Sequence, residues 1–238
     1  MPRVALFVTC LVDQVFPEVG RAAVALLEAA GAAVEFPAAQ TCCGQPALSA
    51  GEPAAAARLA AHFLDTFEPY DAVVAPSGSC AGMVRHWYSR LPGIDPVRAE
   101  AVAARTFELS EYLVDRLGRT DLGARVDATV TVHDACHGLR SLGLRGQVRT
   151  LLTAAGARIE EMREPETCCG FGGVFAATHG EISTPLADRK LLDASGTGAT
   201  RVVAGDIACL MHLDGRRRRT HVGPEPAHYA VVLAEGLP

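Results

Sequence analysis

The eight cysteines of this 238-residue chain fall into two sets of four with nearly the same spacing. The second set repeats the first at offsets of 126, 126, 126 and 129 residues. The sets are Cys10, Cys42, Cys43 and Cys80, and Cys136, Cys168, Cys169 and Cys209. Each set contains a Cys-Cys-Gly step. A duplicated array that uses every cysteine indicates metal chemistry by thiolates, and it constrains the fold because each set must converge in space.

The sequence around the cysteines is also repeated, which predicts an internal duplication. Thr167-Cys168-Cys169-Gly170 matches Thr41-Cys42-Cys43-Gly44 at an offset of 126. In each half, short apolar segments alternate with helical patterns that end at a glycine, such as the helix before Gly31 and the helix before Gly156. The pattern predicts an α/β fold built as a tandem duplication of two Rossmann-like units, each with a parallel sheet.

The segment between the repeats, 92–127, predicts one extra helix over Glu108 to Leu117 and a polar linker rich in Gly and Asp. We therefore place the domain boundary near residue 125. Residues 1–125 form a first cysteine-rich domain and residues 126–238 a second one. The basic run Arg216 to Arg219 is predicted to be a solvated loop.

Parallel strands explain how cysteines more than 30 residues apart can meet. Strand–helix–strand connections are right-handed, so the carboxyl ends of all the strands emerge at one edge of the sheet. In the first half Cys10, the Cys42-Cys43 pair and Cys80 each follow a predicted strand. This is the edge at which open α/β sheets bind ligands, and we expect the four thiols of each half to converge there.

Two kinds of cofactor suit four thiolates. Zinc accepts four cysteine sulfurs at tetrahedral angles. Adjacent cysteines, however, have difficulty placing both sulfurs on one small ion, whereas an iron–sulfur cluster offers separate iron atoms to Cys42 and Cys43 and to Cys168 and Cys169. The pattern favours an iron–sulfur cluster, with zinc in one or both sites as the alternative.

The array resembles the cysteine-rich, or CCG, domain family. That family includes the cysteine-rich subunit of heterodisulfide reductase and the iron–sulfur subunits of glycolate oxidase and anaerobic glycerol-3-phosphate dehydrogenase. Within the family, the chain resembles the lactate utilisation A branch. The segments that carry this similarity are Thr41-Cys42-Cys43-Gly44-Gln45-Pro46, Pro76-Ser77-Gly78-Ser79-Cys80, His133-Asp134-Ala135-Cys136-His137, Cys168-Cys169-Gly170-Phe171-Gly172-Gly173 and Cys209-Leu210-Met211-His212.

The resemblance implies an iron–sulfur electron-transfer subunit, with [4Fe-4S] clusters on the eight cysteines, in a complex that oxidises L-lactate to pyruvate. It implies two partners, a ferredoxin-like iron–sulfur subunit and a third lactate-utilisation subunit. The chain contains no Cys-x-x-Cys-x-x-Cys run of its own, so electrons would pass through a separate subunit. No catalytic residue is assigned, although Arg85 and Arg140 are candidates to hold a substrate carboxylate.

The chain departs from its heterodisulfide reductase relative at one point in each half. That relative has a fifth cysteine three residues after the last one of each array, where this chain has Met83 and His212. His212 is therefore a candidate additional ligand, or a group that hydrogen-bonds to the ligands. His133 and His137, which flank Cys136, are candidates for the same roles.

The net charge and the hydropathy of the chain limit its possible partners and its location. The net charge of −5 predicts no nucleic-acid partner, and no apolar stretch reaches the roughly 20 residues that cross a bilayer. The amino terminus does not resemble a secretory signal, so we expect a cytoplasmic protein. Two other functions stay open: a heterodisulfide or thiol–disulfide reductase-like subunit, and a zinc-stabilised scaffold without catalytic activity.

Overall fold

Two parallel β-sheets of four strands each organise the molecule in a computed structural model that describes residues 3–238. Met1 and Pro2, which begin the predicted first domain, lie outside the described residues. The strands are β1 (Arg3–Leu6), β2 (Ala33–Glu35), β3 (Ala72–Ala75), β4 (Thr106–Glu108), β5 (Thr129–Val132), β6 (Arg158–Ile159), β7 (Arg201–Ala204) and β8 (Glu225–His228). The order is β2-β1-β3-β4 in one sheet and β6-β5-β7-β8 in the other, with all neighbours parallel. This arrangement confirms the predicted duplicated α/β fold.

Helices connect the strands and cover the sheets. They are α1 (Cys10–Val15), α2 (Pro17–Ala29), α3 (Gln45–Ser49), α4 (Pro53–Phe67), α5 (Gly78–Trp87), α6 (Pro96–Ala103), α7 (Leu109–Glu111), α8 (Gln147–Ala154), α9 (Val174–Thr178), α10 (Gly180–Ser195), α11 (Ile207–Thr220) and α12 (Tyr229–Ala234). Tyr88–Arg90 is a 3-10 turn, and Tyr112–Arg116 and His137–Ser141 are π-helical turns. The second π-helical turn follows Cys136 directly, and such turns are frequent at functional sites.

The structure differs from the sequence-based description at three places. The helix predicted over Glu108 to Leu117 is preceded by strand β4, which ends at Glu108, and the helix itself continues as a π-helical turn. Strand β8 was not predicted either, because a Pro226-containing segment does not look like a strand; a proline is tolerated there because β8 is an edge strand. The run Arg216 to Arg219 lies in helix α11 and not in a loop.

One hydrophobic core joins the two halves. Val4 and Leu6 of β1 point into a cluster that also contains Val130 and Val132 of β5. Side chains alternate along a strand, so Ala5 of β1 points to the opposite face, into a cluster formed by the first half alone. Each sheet therefore has one face towards the shared core and one face covered by helices of its own half. The predicted boundary between residues 125 and 126 stays a prediction.

Among residues 3–238, no helix combines the length and the apolar character that crossing a membrane requires.

Candidate metal centres

The four cysteines of the first half meet at the carboxyl edge of the first sheet. Cys10 begins α1, Cys42 and Cys43 lie in the loop after β2, and Cys80 lies in the first turn of α5. The sulfur of Cys10 lies 3.6 Å from that of Cys42, and the sulfur of Cys43 lies 3.4 Å from that of Cys80. All four are free thiols, and Cys43 and Cys80 are buried. The sequence-based prediction that parallel strands gather these cysteines agrees with these positions.

The second half repeats this arrangement. Cys136 lies four residues after β5, Cys168 and Cys169 lie in the loop before α9, and Cys209 lies in the first turn of α11. All four are free thiols, with Cys169 and Cys209 buried and Cys136 and Cys168 partly exposed. The sulfurs of Cys169 and Cys209 lie within 4.8 Å of each other. The same two members of each set are therefore buried in both halves.

The glycine of each Cys-Cys-Gly step is required by the backbone. Gly44 and Gly170 have φ values of 87° and 89°, a region that side chains with a Cβ rarely adopt. Their N–H groups donate to the sulfurs of Cys42 and Cys168 at 3.4 and 3.3 Å. These donors stabilise negative charge on the sulfur, as in sites where thiolates bind metals.

Proton sharing within the first set leaves one sulfur easier to ionise than its neighbours. Hydrogen bonds from Cys10 and Cys43 lower the pKa of the Cys42 thiol. The hydrogen bond to Cys42, followed by burial, raises the pKa of Cys10. The pKa of Cys43 is raised by its hydrogen bonds to Cys42 and Cys80 and by burial. A metal that binds here would displace the shared protons.

All four thiols of the second set have raised pKa values, whereas the pKa of Cys42 in the first set is lowered. Burial raises the pKa of Cys136. The pKa of Cys168 is raised by its hydrogen bond to Cys169 and then by burial. For Cys209, the hydrogen bond to Cys169 lowers the pKa, but burial and the nearby Asp206, Cys136 and Cys168 raise it overall. The two sets are thus similar in geometry and different in electrostatics.

His133 is the histidine that lies among the buried cysteines of the second half. One of its ring nitrogens and the sulfurs of Cys169 and Cys209 all lie within 4.8 Å of one another. The residue is 2% exposed, and neither ring nitrogen has a hydrogen-bond partner of good geometry. Burial, followed by the charge of Lys190, lowers the pKa of His133 to about 3. The imidazole is therefore neutral and able to offer a lone pair at neutral pH.

The other two histidines named from the sequence have protein partners. His137 places Nδ1 3.6 Å from the sulfur of Cys136 and Nε2 3.1 Å from the Gln45 side-chain nitrogen. His212 lies 3.2 Å from the hydroxyl of Ser183, which donates to the Gly170 carbonyl at 2.8 Å. His212 therefore supports the Cys-Cys-Gly loop through Ser183.

Met83 and the two candidate arginines also have definite surroundings. Met83, at the position that corresponds to His212, is 1% exposed and packs in the apolar cluster that contains Cys43 and Cys80. Nη1 of Arg85 donates to both carboxylate oxygens of Glu111 at 2.8 and 3.0 Å, so its guanidinium is already paired with a carboxylate. Arg140 is exposed, and its charge acts to lower the pKa values of Cys136 and Cys168.

The two cysteine sets face each other across the contact between the halves. The Ser79 N–H, next to Cys80, donates to the carboxylate of Asp206 at 2.9 Å, and Asp206 caps the helix that carries Cys209. The Gly78 N–H donates to the Gly205 carbonyl at 3.2 Å. The Gln45–His137 contact joins the loop of one set to the loop of the other.

A buried polar cluster beside this contact was not predicted from the sequence. Glu108 accepts from the hydroxyl of Tyr229 at 2.8 Å and from the Ser110 N–H at 2.7 Å, and the Ser110 hydroxyl also contacts it. Burial raises the pKa of Glu108 to about 7, against the opposing effect of these hydrogen bonds. Glu108 and Tyr229 come from different halves, so no local sequence signal links them.

The residues present fit a thiolate-bound metal or cluster. Each set offers four soft sulfur donors, gathered by three separate segments and approached by a backbone N–H at the Cys-Cys-Gly step. Buried, inert cysteines would not need N–H donors aimed at sulfur. The arrangement is typical of metal binding.

Comparison with known proteins gives the same picture. The family model described as a cysteine-rich domain (CCG) matches residues 4–85 and 130–214. Lactate utilization protein A of an Exiguobacterium species is 43% identical and covers 100% of this chain and 99% of its own length. Lactate utilization protein A 2 of Bacillus cereus is 38% identical, with 99% of each chain covered.

Solved structures resemble the chain only distantly. A putative Asp/Glu racemase from Yersinia pestis covers 98% of this chain and 96% of its own, with 10% sequence identity and a TM-score of 0.39. That score is too low to support any inference. The family model, matched in both halves, and the full-length relatives show that the chain belongs to the cysteine-rich CCG domain family.

Proposed function

We propose that this chain is the iron–sulfur electron-transfer subunit of a multi-component oxidoreductase that oxidises L-lactate to pyruvate. The observation that carries the proposal is the gathering of all eight cysteines into two sets of four at the carboxyl edges of the two sheets. The names of the full-length relatives support lactate utilisation, and the letter A in those names supports a system of several components.

The ligands in this proposal are Cys10, Cys42, Cys43 and Cys80 for the first centre, and Cys136, Cys168, Cys169 and Cys209 for the second. An iron–sulfur cluster of the [4Fe-4S] type would supply one-electron transfer at each centre. The protein holds the thiolates in place, donates N–H groups from Gly44 and Gly170 to sulfur, and buries half of each set away from water. Burial and N–H donors of this kind set the reduction potential.

Oxidation of lactate to pyruvate releases two electrons and two protons. The two centres are joined by the Gln45–His137 contact and by the Asp206–Ser79 hydrogen bond. Electrons would therefore pass between centres within one chain and enter or leave it through a ferredoxin-like iron–sulfur partner. A third lactate-utilisation subunit would complete the complex, which we place in the cytoplasm.

A zinc-stabilised scaffold is the second candidate, and one observation favours it. Four sulfurs around a single zinc at about 2.3 Å lie about 3.8 Å apart. The sulfur pairs Cys10–Cys42 and Cys43–Cys80 are separated by 3.6 and 3.4 Å. A zinc protein with these ligands would have no colour from iron–sulfide charge transfer and would not respond to reductant.

The proposed function is tested on the intact complex of the chain with its partners. The tagged chain is purified anaerobically with its bound partners, and visible absorption is followed after L-lactate is added, with glycolate as the substrate control. We expect a ferredoxin-like subunit to copurify and the absorption to bleach with L-lactate. Recovery of no such partner, or absorption that L-lactate leaves unchanged, would contradict the proposal.

Matched cysteine variants test the ligands themselves. Cys43→Ser and Cys169→Ser each replace the buried member of one Cys-Cys pair. Each should remove about half of the iron and sulfide and the visible absorption of one centre, because serine oxygen is a poor substitute for a thiolate. Spectra equal to those of the wild type in both variants would refute the assignment.

A further inference from the structure

Directly after strands β1 and β5, the two halves have different residues at one equivalent position beside the cysteines. Phe7 follows β1 and His133 follows β5, at the same offset of 126 that relates Cys10 to Cys136. The backbone N–H of each donates to the next strand of its sheet at 2.8 Å, Phe7 to Val74 and His133 to Val203. The two side chains therefore occupy the same place in the duplicated fold.

The Phe7 side chain of the first half packs in an apolar cluster. The Phe7 ring packs edge-on against Phe63 with ring centroids 4.9 Å apart and against Phe67 at 5.4 Å. The same apolar cluster contains Cys43 and Cys80. The Phe7 ring itself has no atom that could act as a metal ligand for the first cysteine set.

The side chain in the second half is a buried imidazole without a satisfactory protein partner. The carbonyl of Pro165 is the backbone acceptor near the ring. That carbonyl already accepts from the Asp134 N–H at 3.1 Å and from Lys190 Nζ at 3.2 Å. A buried polar group left without a partner is costly and calls for an explanation such as a missing ligand. One ring nitrogen lies within 4.8 Å of the sulfurs of Cys169 and Cys209.

We propose that His133 is a ligand of the second centre, which makes that centre a mixed histidine–cysteine site while the first is bound by thiolates alone. The inference rests on the proposed function in so far as a metal occupies the second set. The imidazole would add a neutral donor to the four thiolates of the second set, so the two centres would differ in their ligands.

The direct test is nitrogen hyperfine coupling, measured by pulsed electron paramagnetic resonance on the reduced, anaerobically purified protein with 15N-labelled histidine. We expect a strong coupling from one directly bound nitrogen. The coupling should disappear in His133→Phe, which copies Phe7 of the first half, and persist in His212→Phe. Absence of strong coupling in the wild type, or its persistence in His133→Phe, overturns the inference.

Further variants test whether the coupling is lost through misfolding and which of the two centres carries the coupling. His133→Cys offers a thiolate at the same position, so the second centre should stay loaded while the nitrogen coupling is lost. Cys43→Ser removes a ligand of the first centre and should leave the coupling intact, whereas Cys169→Ser should abolish it. Coupling that follows Cys43 instead of Cys169 would place the histidine at the wrong centre and refute the inference.

Failure of the redox proposal leaves this inference testable on its own. If the purified protein contains zinc in place of iron and sulfide, the metal is exchanged for Co²⁺ and the visible ligand-field bands are recorded. His133→Phe should shift the bands of one of the two bound Co²⁺ ions, because its nitrogen donor is lost. Bands equal to those of the wild type would show that His133 is not a ligand, whatever the function.

Discussion

The glycines of the two Cys-Cys-Gly steps, Gly44 and Gly170, have the same backbone conformation and differ in the space around them. A Cβ added to Gly170 would lie 2.4 Å from the Ser183 carbonyl oxygen, a distance at which the backbone must move. A Cβ added to Gly44 would lie 3.2 Å from the Ala56 carbonyl oxygen. The second loop is therefore held more tightly than the first, by Ser183 and through it by His212.

Alanine at these two glycines should affect stability unequally. Gly170→Ala adds a backbone clash to the strain of a positive φ, and we expect a loss of about 3 kcal/mol or more in the free energy of unfolding. Gly44→Ala should cost about 1–2 kcal/mol. Gly31→Ala, at φ 86° with no atom within 4 Å of the added Cβ, measures the cost of the φ value alone. Denaturant unfolding that ranks Gly170→Ala no worse than Gly31→Ala would contradict this account.

The buried carboxyl of Glu108 makes stability depend on pH. Its pKa is raised from 4.5 to about 7 in the folded protein. Between these values the folded state holds a proton that the unfolded state has lost, so the free energy of unfolding falls as the pH rises. The expected loss from pH 4.5 to pH 7 is about 3 kcal/mol.

The matched variants Glu108→Gln and Glu160→Gln separate this effect from the other titrating groups. Glu108→Gln should remove most of the slope, whereas Glu160→Gln, at an exposed position, should keep it. Both are compared with the wild type by urea unfolding at several pH values. An unchanged slope in Glu108→Gln would show that its carboxyl is not the titrating group.

Among the elements, the strands that position the cysteines could be predicted, whereas the last strand of each sheet, β4 and β8, could not. β1, β3, β5 and β7 are apolar, buried runs that end shortly before a cysteine, which is a strong local signal. β4 is three residues long and β8 contains a proline, so neither shows the pattern of a buried strand. Their pairing depends on a neighbouring strand that is distant in sequence.

Helix α12 of the second half packs against helix α2 of the first half, so a cavity in α12 should weaken the contact between the halves. Leu233 of α12 is 1% exposed within the shared core, and Leu192 of α10 is 67% exposed. Leu233→Ala should lower the free energy of unfolding by about 2–5 kcal/mol, since it leaves a cavity at the contact between the halves. Leu192→Ala should change it by less than about 0.5 kcal/mol. Equal effects in thermal unfolding would argue against the shared core.

At the scale of the whole molecule, the duplication brings two similar centres together and makes them chemically unequal. The positions of the cysteines follow from the sequence, because strand ends in a parallel sheet meet at one edge. The repeat also shows that His133 of the second half stands at the position equivalent to Phe7 of the first half, at the offset of 126 residues. The pairing of Glu108 with Tyr229, 121 residues away, depends on how the halves dock and has no local signal.

The shared core predicts that the metal-free protein unfolds as one unit. Tyr229 and Val130 of the second half pack in the same cluster as Val4 and Leu26 of the first half. Calorimetry should show one transition with equal calorimetric and van't Hoff enthalpies, because neither half can keep this core alone. Two separable transitions would mean that the halves are independent domains.

The proposed function requires that the eight cysteines bind iron–sulfur clusters. The content of iron, acid-labile sulfide and zinc, measured in one sample of protein purified without oxygen, distinguishes clusters from zinc. We expect iron and sulfide in nearly equal amounts, enough for two clusters per chain, with little zinc. One or two zinc ions per chain, with neither iron nor sulfide, would contradict it.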